Sequence, residues 1–344
     1  MNEHASGALP SSVPTTDPDV LAKLFRDMVR ARALDGACVS LQRQGVFAAI
    51  APFIGHEAVQ IGAMYALDRT TDFVFPTYRE LAAAYAWGVD IVAYLAQARG
   101  FSHGGSFNHA EARFGPIAAE VAGSVLHAVG WAMGQRLDRR KGVALVFFGD
   151  GASSQGDVHE ALNCAGIFHA PVVFLCVNNG WAISVPASAQ VAGGSVAARA
   201  AGYGLRGVTV DGGDVLAVWA AVRDAAASAR TGEPVLIEAR TYRYGPHSTS
   251  DNPDRYRTQI ADEKWSAEDP VARYAAWLRG RGLLDQDGQG AAEREAQAWA
   301  AGVADKVKAL TPPGIEDMFR FAYRAPPASV LGQQRAIIEE AGRD

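Results

Sequence analysis

Two uninterrupted apolar runs constrain this chain more than anything else in it. Val143-Ala144-Leu145-Val146-Phe147-Phe148 leads into Gly149-Asp150-Gly151, and Val172-Val173-Phe174-Leu175-Cys176-Val177 leads into Asn178-Asn179, with twenty-six residues between Gly151 and Asn178. Each run is short, β-branched or aromatic, and lacks polar alternation, the pattern of a strand buried on both faces of a parallel sheet. The segment between them has the length that a right-handed crossover helix needs. Asp150 and Asn179 are therefore expected at the carboxyl ends of parallel strands, where open α/β sheets bind ligands.

A carboxylate, an amide oxygen and a nearby turn carbonyl are hard oxygen donors. They suit Mg²⁺, whose octahedron is completed by phosphate oxygens and water. The glycines flanking Asp150 let the backbone come close to a phosphate, and the start of the following helix favours negative charge.

Bulk properties remove other classes. A net charge of -5 argues against a nucleic-acid partner. Cys38, Cys164 and Cys176 are odd in number, far apart and set in apolar patterns, so they are expected as buried thiols rather than a disulfide set, which suits a reducing compartment. With no membrane-span pattern and no signal-peptide pattern at the N-terminus, a cytoplasmic protein is expected.

Residues 1–16, small and polar without periodicity, are expected to be a disordered tail. Asp17-Pro18 then reads as an N-cap with proline at N1, opening a helix that ends near Gln44-Gly45. A further helix starts at Gly55-His56-Glu57, and Phe73-Val74-Phe75 is a short strand before Tyr78-Arg79. Residues 100–116, rich in Gly, His and Asn, form a long loop whose large apolar anchors are Phe101 and Phe107. A small-residue helix is expected from Ala118 to about Leu137, and strands at 208–210 and 235–239 flank a helix from Asp214 to about Arg230. This alternation indicates an α/β fold with a doubly wound, mostly parallel sheet. One domain is expected over 17–344, with a polar loop at 244–258 and a helical C-terminal tail from about 263.

Two further constellations carry chemistry. The hydroxyl of Tyr78 and the guanidinium of Arg79, just after a strand, could grip a diphosphate, or could simply begin an amphipathic helix. His247 lies in a segment without an apolar anchor, where Gly245-Pro246 could aim it at an anion or carbonyl; a solvated loop histidine is the alternative. His109 is the better placed of the remaining histidines, while His127 reads as a core or helix-face residue. Gly202-Tyr203-Gly204-Leu205-Arg206-Gly207 fits G-x-G-x-x-G, but it follows a helix and precedes a strand. That inverted context makes it a connecting turn and counts against an NAD-binding Rossmann protein.

From about residue 20 to 335 the chain resembles the α subunit of the E1 component of 2-oxo acid dehydrogenase complexes. The likeness rests on Gly55-His56-Glu57-Ala58, Phe75–Glu80, Gly149–Asp157, Asn178–Ser184 and Tyr242–Asp251. The resemblance implies thiamine diphosphate and Mg²⁺ as cofactors. Asp150, Asn179 and the carbonyl of Trp181 would be the metal ligands. Tyr78, Arg79 and His247 would contact the diphosphate, with backbone N–H groups of Gly151 and Ala152. Val121 and Ile183 would touch the cofactor, Val121 propping its bent shape.

The implied activity is decarboxylation of a 2-oxo acid and acyl transfer to a lipoylated E2 acyltransferase, with His247 as the catalytic candidate. The 210–215 and 248–251 segments look most like the branched-chain type; pyruvate and acetoin types are alternatives, and a non-catalytic thiamine diphosphate-binding partner is another class. No K⁺ is expected, because Ala118, Glu120, Gly123 and Ser124 stand where some branched-chain members hold one. Nothing in the chain clearly supplies the carboxylate that activates the aminopyrimidine. In the family it comes from an E1 β subunit, which implies an α2β2 heterotetramer with the active site at the interface.

Overall fold

The computed structural model describes residues 13–102, 104–257, 268–320 and 323–342. His103, most of the expected N-terminal tail, the end of the polar loop at Thr258 and the expected start of the C-terminal tail at 263 lie outside the described residues. Two compact units divide at residues 307 and 308. The second contains the helices Asp317–Arg320 and Ala328–Ala341.

The first unit is built on β1 (Phe73–Phe75), β2 (Ala144–Gly149), β3 (Val172–Asn178), a small hairpin of β4 (Trp181–Ala182) and β5 (Val185–Pro186), β6 (Arg206–Asp211) and β7 (Val235–Arg240). Its main sheet has the order β1-β2-β3-β7-β6, and all neighbours are parallel. The two apolar runs seen in the sequence are β2 and β3, paired along their whole length from Ala144↔Val172 to Gly149↔Val177.

Lack of alternation in these strands has a direct structural cause, because both faces of the sheet are covered. Leu145, Phe147, Val173, Leu175 and Ile237 enter one core. There they meet Leu24 and Met28 of α1 (Pro18–Arg43), Ile61 of α2 (Glu57–Tyr65) and Leu216 of a helix at Val215–Arg230. Val146, Phe148, Phe174 and Cys176 enter the other core, against Val129 and Leu162 of the helices Val125–Leu137 and Gly156–Phe168. Fully burying each such side chain contributes about 1.5–3 kcal/mol. The three cysteines are free; Cys38 and Cys176 are buried and Cys164 half-buried.

Helix punctuation follows local chemistry. Asp17 caps α1 by accepting from the Asp19 N–H at 2.9 Å, with Pro18 at N1, and the helix ends at Arg43 before Gly45 in a left-handed conformation. Asp214 caps the helix at Val215–Arg230 in the same manner. The glycine-rich 202–207 segment is a connecting turn, closing a 3₁₀ stretch (Ala197–Tyr203) through left-handed Gly204 before β6, which starts at Arg206 rather than 208.

Two expectations are corrected. The helix assigned from Ala118 begins only at Val125, because Ala122 adopts φ +69 and a turn replaces the first two expected helical turns. Ser124 then fastens the start of the helix by donating to the Pro76 carbonyl at 2.8 Å. The 100–116 segment is anchored less by Phe101 and Phe107, which are half-buried, than by Phe114. Phe114 is wholly buried and bridges in parallel to Val74 of β1. The short helix His109–Ala112, capped by Asn108, occupies the middle of that loop.

At the amino ends of the strands, Asp72 is fully buried and accepts two bonds from the Arg230 guanidinium, at 2.7 and 2.6 Å. It also accepts from the N–H of Val143 at 2.9 Å, just before β2, so the pair ties β1, β2 and the helix before β7 together.

Candidate active site

The register of the sheet builds the opposite end. Gly149 lies beside Val177, and Asn178 beside Arg240, so the chain leaves β2, β3 and β7 at nearly one level. Beyond β7 it keeps to the β3 extension. The Thr241 N–H donates to the Asn178 carbonyl at 2.9 Å, and the Arg243 N–H donates to the Asn179 carbonyl at 3.4 Å. A cavity of about 400 Å³ opens over these strand ends. Every site residue named from the sequence lines it: Tyr78, Arg79, Val121, Asp150, Gly151, Ala152, Asn179, Trp181, Ile183 and His247.

One wall carries the oxygen donors. Asp150 is almost wholly buried and makes no ion pair among the described residues; it accepts from Gln190 Nε2 at 3.2 Å. Burial pushes its carboxyl above the usual range, while hydrogen bonds from Gln190 and the Asn179 backbone oppose that shift. Asn179 Oδ1 accepts from the Trp181 N–H at 3.1 Å, and Asn179 Nδ2 lies 3.3 Å from His56 Nε2. The amide orientation is therefore fixed on both sides. A donor facing His56 Nε2 requires that nitrogen to accept, which puts the proton of a neutral His56 on Nδ1. Burial, with Arg79 and Arg243 nearby, holds the His56 pKa well below its ordinary value.

Gly151 is required by close approach. A Cβ there would stand 2.6 Å from the Ala182 Cβ, so the turn after β2 and the hairpin after β3 touch. Ile183 follows with φ +55, a conformation that costs a β-branched residue of order 1–3 kcal/mol. It is 54% exposed and, with the 50% exposed Val121, presents apolar surface at the cavity.

The other wall is cationic. The Arg79 guanidinium is buried and donates to the carbonyls of Pro52 and His247, the second at 2.9 Å. Its Nη2 also lies 3.2 Å from His247 Nδ1. Tyr78 meets the His247 ring edge-on with centroids 6.0 Å apart. Partial burial and the charges of Arg79 and Arg243 push the His247 pKa down to about 4, so the ring is neutral at pH 7. The loop carrying it is closed internally. Asp251 accepts from the His247 N–H at 2.8 Å and from the Tyr256 hydroxyl, and the Thr249 N–H donates to the Ile50 carbonyl at 2.9 Å.

Sequence reasoning gave no role to His56, Gln190 or Arg243, all of which line the cavity. His56 and Arg243 sit inside segments already singled out, but their placement arises from contacts across more than sixty positions. Gln190 is a loop residue with no local signal. His109 and His127 do not line this cavity; His109 packs on Phe107 and faces the Phe114 carbonyl, and His127 is exposed on its helix. Among the described residues no three His, Cys, Asp or Glu side chains cluster as a metal site.

This geometry has company among known proteins. The chain is 41% identical over 327 residues to the 3-methyl-2-oxobutanoate dehydrogenase subunit alpha of Mycobacterium tuberculosis, covering 94% of this chain and 88% of that one. It is 39% identical to the 2-oxoisovalerate dehydrogenase subunit alpha of Bacillus subtilis, over 77% of this chain and 83% of the relative. A pyruvate dehydrogenase E1 component subunit alpha from Bacillus cereus is 35% identical over 99% of this chain and 91% of its own length. The dehydrogenase E1 component family matches residues 25–316, a span that includes both strand ends, both walls of the cavity and the His247 loop. With relatives this close over nearly its whole length, the chain belongs to the dehydrogenase E1 component family.

Proposed function

We propose that this chain is the α subunit of a thiamine diphosphate-dependent E1 enzyme that decarboxylates a branched-chain 2-oxo acid and passes the acyl group to a lipoylated E2 protein. Family membership implies thiamine diphosphate. The observation that carries the reading is the two-walled cavity, with a buried carboxylate that makes no ion pair among the described residues on one side and buried guanidinium groups on the other. A divalent cation fits the first wall: Asp150, Asn179 Oδ1 and the Trp181 carbonyl are the hard donors that Mg²⁺ prefers. A diphosphate fits the second, where Arg79, Tyr78, His247 and the N–H groups of Gly151 and Ala152 would hold its oxygens.

When bound, thiamine diphosphate supplies the nucleophilic carbon and the electron sink for decarboxylation. The remaining tasks fall to this chain. Val121 and Ile183 offer apolar surface to the cofactor rings, and Asp150 and Asn179 fix the metal end. His247 is neutral at working pH and can donate to, or take a proton from, a group at the substrate carbonyl. Arg79 orients that ring through contact with its Nδ1 and its backbone carbonyl.

Of the described acidic residues lining the cavity, Asp150 is the proposed metal ligand and neither of the other two is free to activate the aminopyrimidine from the interior. Glu80 is buried and engaged by the Thr77 N–H and hydroxyl, and Glu120 is exposed. The activating carboxylate is proposed to come from a β subunit, as membership of the family implies, in an α2β2 heterotetramer with the site at the interface. No described helix is long and apolar enough to cross a membrane, and a cytoplasmic enzyme is proposed.

The branched-chain preference rests on the two branched-chain relatives noted above and on the 210–215 and 248–251 segments. Pyruvate is the second reading, favoured by the Bacillus cereus relative. The test is an assay of the co-purified α and β subunits with an artificial electron acceptor. Faster turnover of 3-methyl-2-oxobutanoate than of pyruvate is expected. The reverse order would transfer the enzyme to the pyruvate class, and no thiamine diphosphate-dependent turnover of either would remove the E1 reading.

A further inference from the structure

Among the described residues Arg243 is the largest fully buried side chain, and it lines the cavity. Its guanidinium donates from Nη1 to the Trp181 carbonyl at 3.3 Å and from Nη2 to the Ile183 carbonyl at 2.8 Å and the Tyr256 hydroxyl at 2.9 Å. All of these acceptors are neutral. Among the described residues Arg243 makes no ion pair, and its buried Nε–H has no acceptor.

That is an unusual position for an arginine. A buried guanidinium normally faces a carboxylate, because an uncompensated charge in a low-dielectric interior is strongly unfavourable. Burial lowers the pKa of Arg243, and repulsion from Arg79 and Arg257 adds to it, while Tyr256 and Asp251 act in the opposite direction. Asp251 is the anion on its side, but it is reached through Tyr256 and is engaged by Tyr256 and the His247 N–H. Of the acidic residues on the cavity wall, Asp150 feels the charge of Arg243 but makes no ion pair with it, Glu80 is tied to Thr77 and Glu120 is exposed at the rim.

We infer that Arg243 is a second guanidinium of the diphosphate site, alongside Arg79, its charge given a direct ionic partner when an anion occupies the cavity. The inference rests on the proposed thiamine diphosphate reading. It assigns Arg243 two linked tasks. Through the carbonyls of Trp181 and Ile183 it holds the β4 segment in place, and its charge offsets the diphosphate over the same wall. The strained Ile183 and the unpaired arginine are thus coupled, since the bond that holds one is made by the other.

A pure backbone clamp and an anion-binding clamp respond differently to ligands that differ only in charge. The full chain co-purified with its β partner is titrated by calorimetry, in Mg²⁺, with thiamine diphosphate, inorganic diphosphate and thiamine, as wild type, Arg243→Met and Arg243→Lys. For Arg243→Met, affinity for thiamine diphosphate and inorganic diphosphate is expected to fall at least about tenfold, and affinity for thiamine to change less than about twofold. Arg243→Lys, which keeps the charge and loses Nε–H, is expected to recover part of the loss for the two diphosphates only, and it decides the matter if Arg243→Met does not fold. Equal loss for thiamine and thiamine diphosphate, or no loss for either, overturns the inference and leaves Arg243 a structural clamp. The wild type separates this from the parent reading: binding of inorganic diphosphate without thiamine diphosphate removes the cofactor assignment and keeps the anion site, and binding of neither removes both.

Discussion

The two ends of the parallel sheet bury the same kinds of residue and treat them in opposite ways. At the amino ends, Asp72 and Arg230 face each other through two short bonds, and the Asp72 oxygens also serve a backbone N–H. At the carboxyl ends, Asp150 is equally buried with only a glutamine and backbone N–H groups for company, and Arg79 and Arg243 donate to carbonyls. A buried charge whose partner lies within the chain is a structural fastening. A buried charge whose partner is missing from the chain marks a place where something else must bind. Burial alone would rank Asp72 and Asp150 together; the partner inventory separates them.

The comparison can be broken most decisively by exchanging the expected outcomes of two alanine substitutions. Asp72→Ala strands Arg230 and orphans the Val143 N–H, and is expected to lower unfolding free energy by about 3 kcal/mol with no change in cofactor affinity of the folded protein. Urea unfolding and calorimetry measure the two halves. Asp150→Ala should do the reverse, leaving the cofactor-free stability equal or higher while weakening Mg²⁺-dependent thiamine diphosphate binding by about 100-fold. If Asp150→Ala unfolds the protein and Asp72→Ala spares it, the distinction between the two ends collapses.

His247→Ala sharpens the cationic wall. Folding should be spared, since the side chain is half-buried and its backbone bonds remain, and turnover of the α/β enzyme should fall by about 100-fold. Wild-type decarboxylation rates in that variant would reduce His247 to a loop residue.

A weaker test is acid stability. His247 is held neutral in the folded state, near pKa 4, against about 6.5 unfolded. The unfolded chain therefore binds the proton first. Stability from this group is complete above pH 6.5 and is lost as pH falls from 6.5 towards 4. Thermal unfolding of the cofactor-free protein should show this slope, and His247→Asn should flatten it; parallel slopes would assign the loss to other groups.

The smallest expected effect is at Ile183. Ile183→Gly relieves the left-handed conformation and should change cofactor-free stability by no more than about 1 kcal/mol, while weakening cofactor binding through loss of apolar contact. Unchanged cofactor affinity would mean that the strained residue does not touch it.

Much of this was legible in the sequence, for reasons that can be named. β2 and β3 were readable because strands buried on both faces abandon alternation, and α1 because Asp17-Pro18 is a local signal with a local effect. The expected helix at 118–124 failed because small residues have helical propensity, yet Ala122 turns left-handed where the chain must bring Val121 to the cavity. Phe114 was passed over because it sits in a glycine-rich stretch that looks like loop, although it is pinned to β1. Arg243 and His56 could not be read as site residues at all. What distinguishes them is one buried nitrogen in each without a hydrogen-bond partner, His56 Nδ1 and Arg243 Nε, a property of the assembled interior and of no window of sequence.

The strand order carries one consequence beyond the site itself. β7 is inserted between β3 and β6, out of chain order, and only through that insertion does the segment at 241–243 come to lie along the extension of β3. During synthesis, a nascent chain of 230 residues already contains the whole Gly149–Asn179 signature together with Tyr78 and Arg79, yet it lacks Arg243 and His247 and the strand β7 that leads to them. A premature stop after Arg230 therefore yields a product that carries the family's signature and Arg79 but lacks β7, the strand that separates β3 from β6, and with it half of the cationic wall.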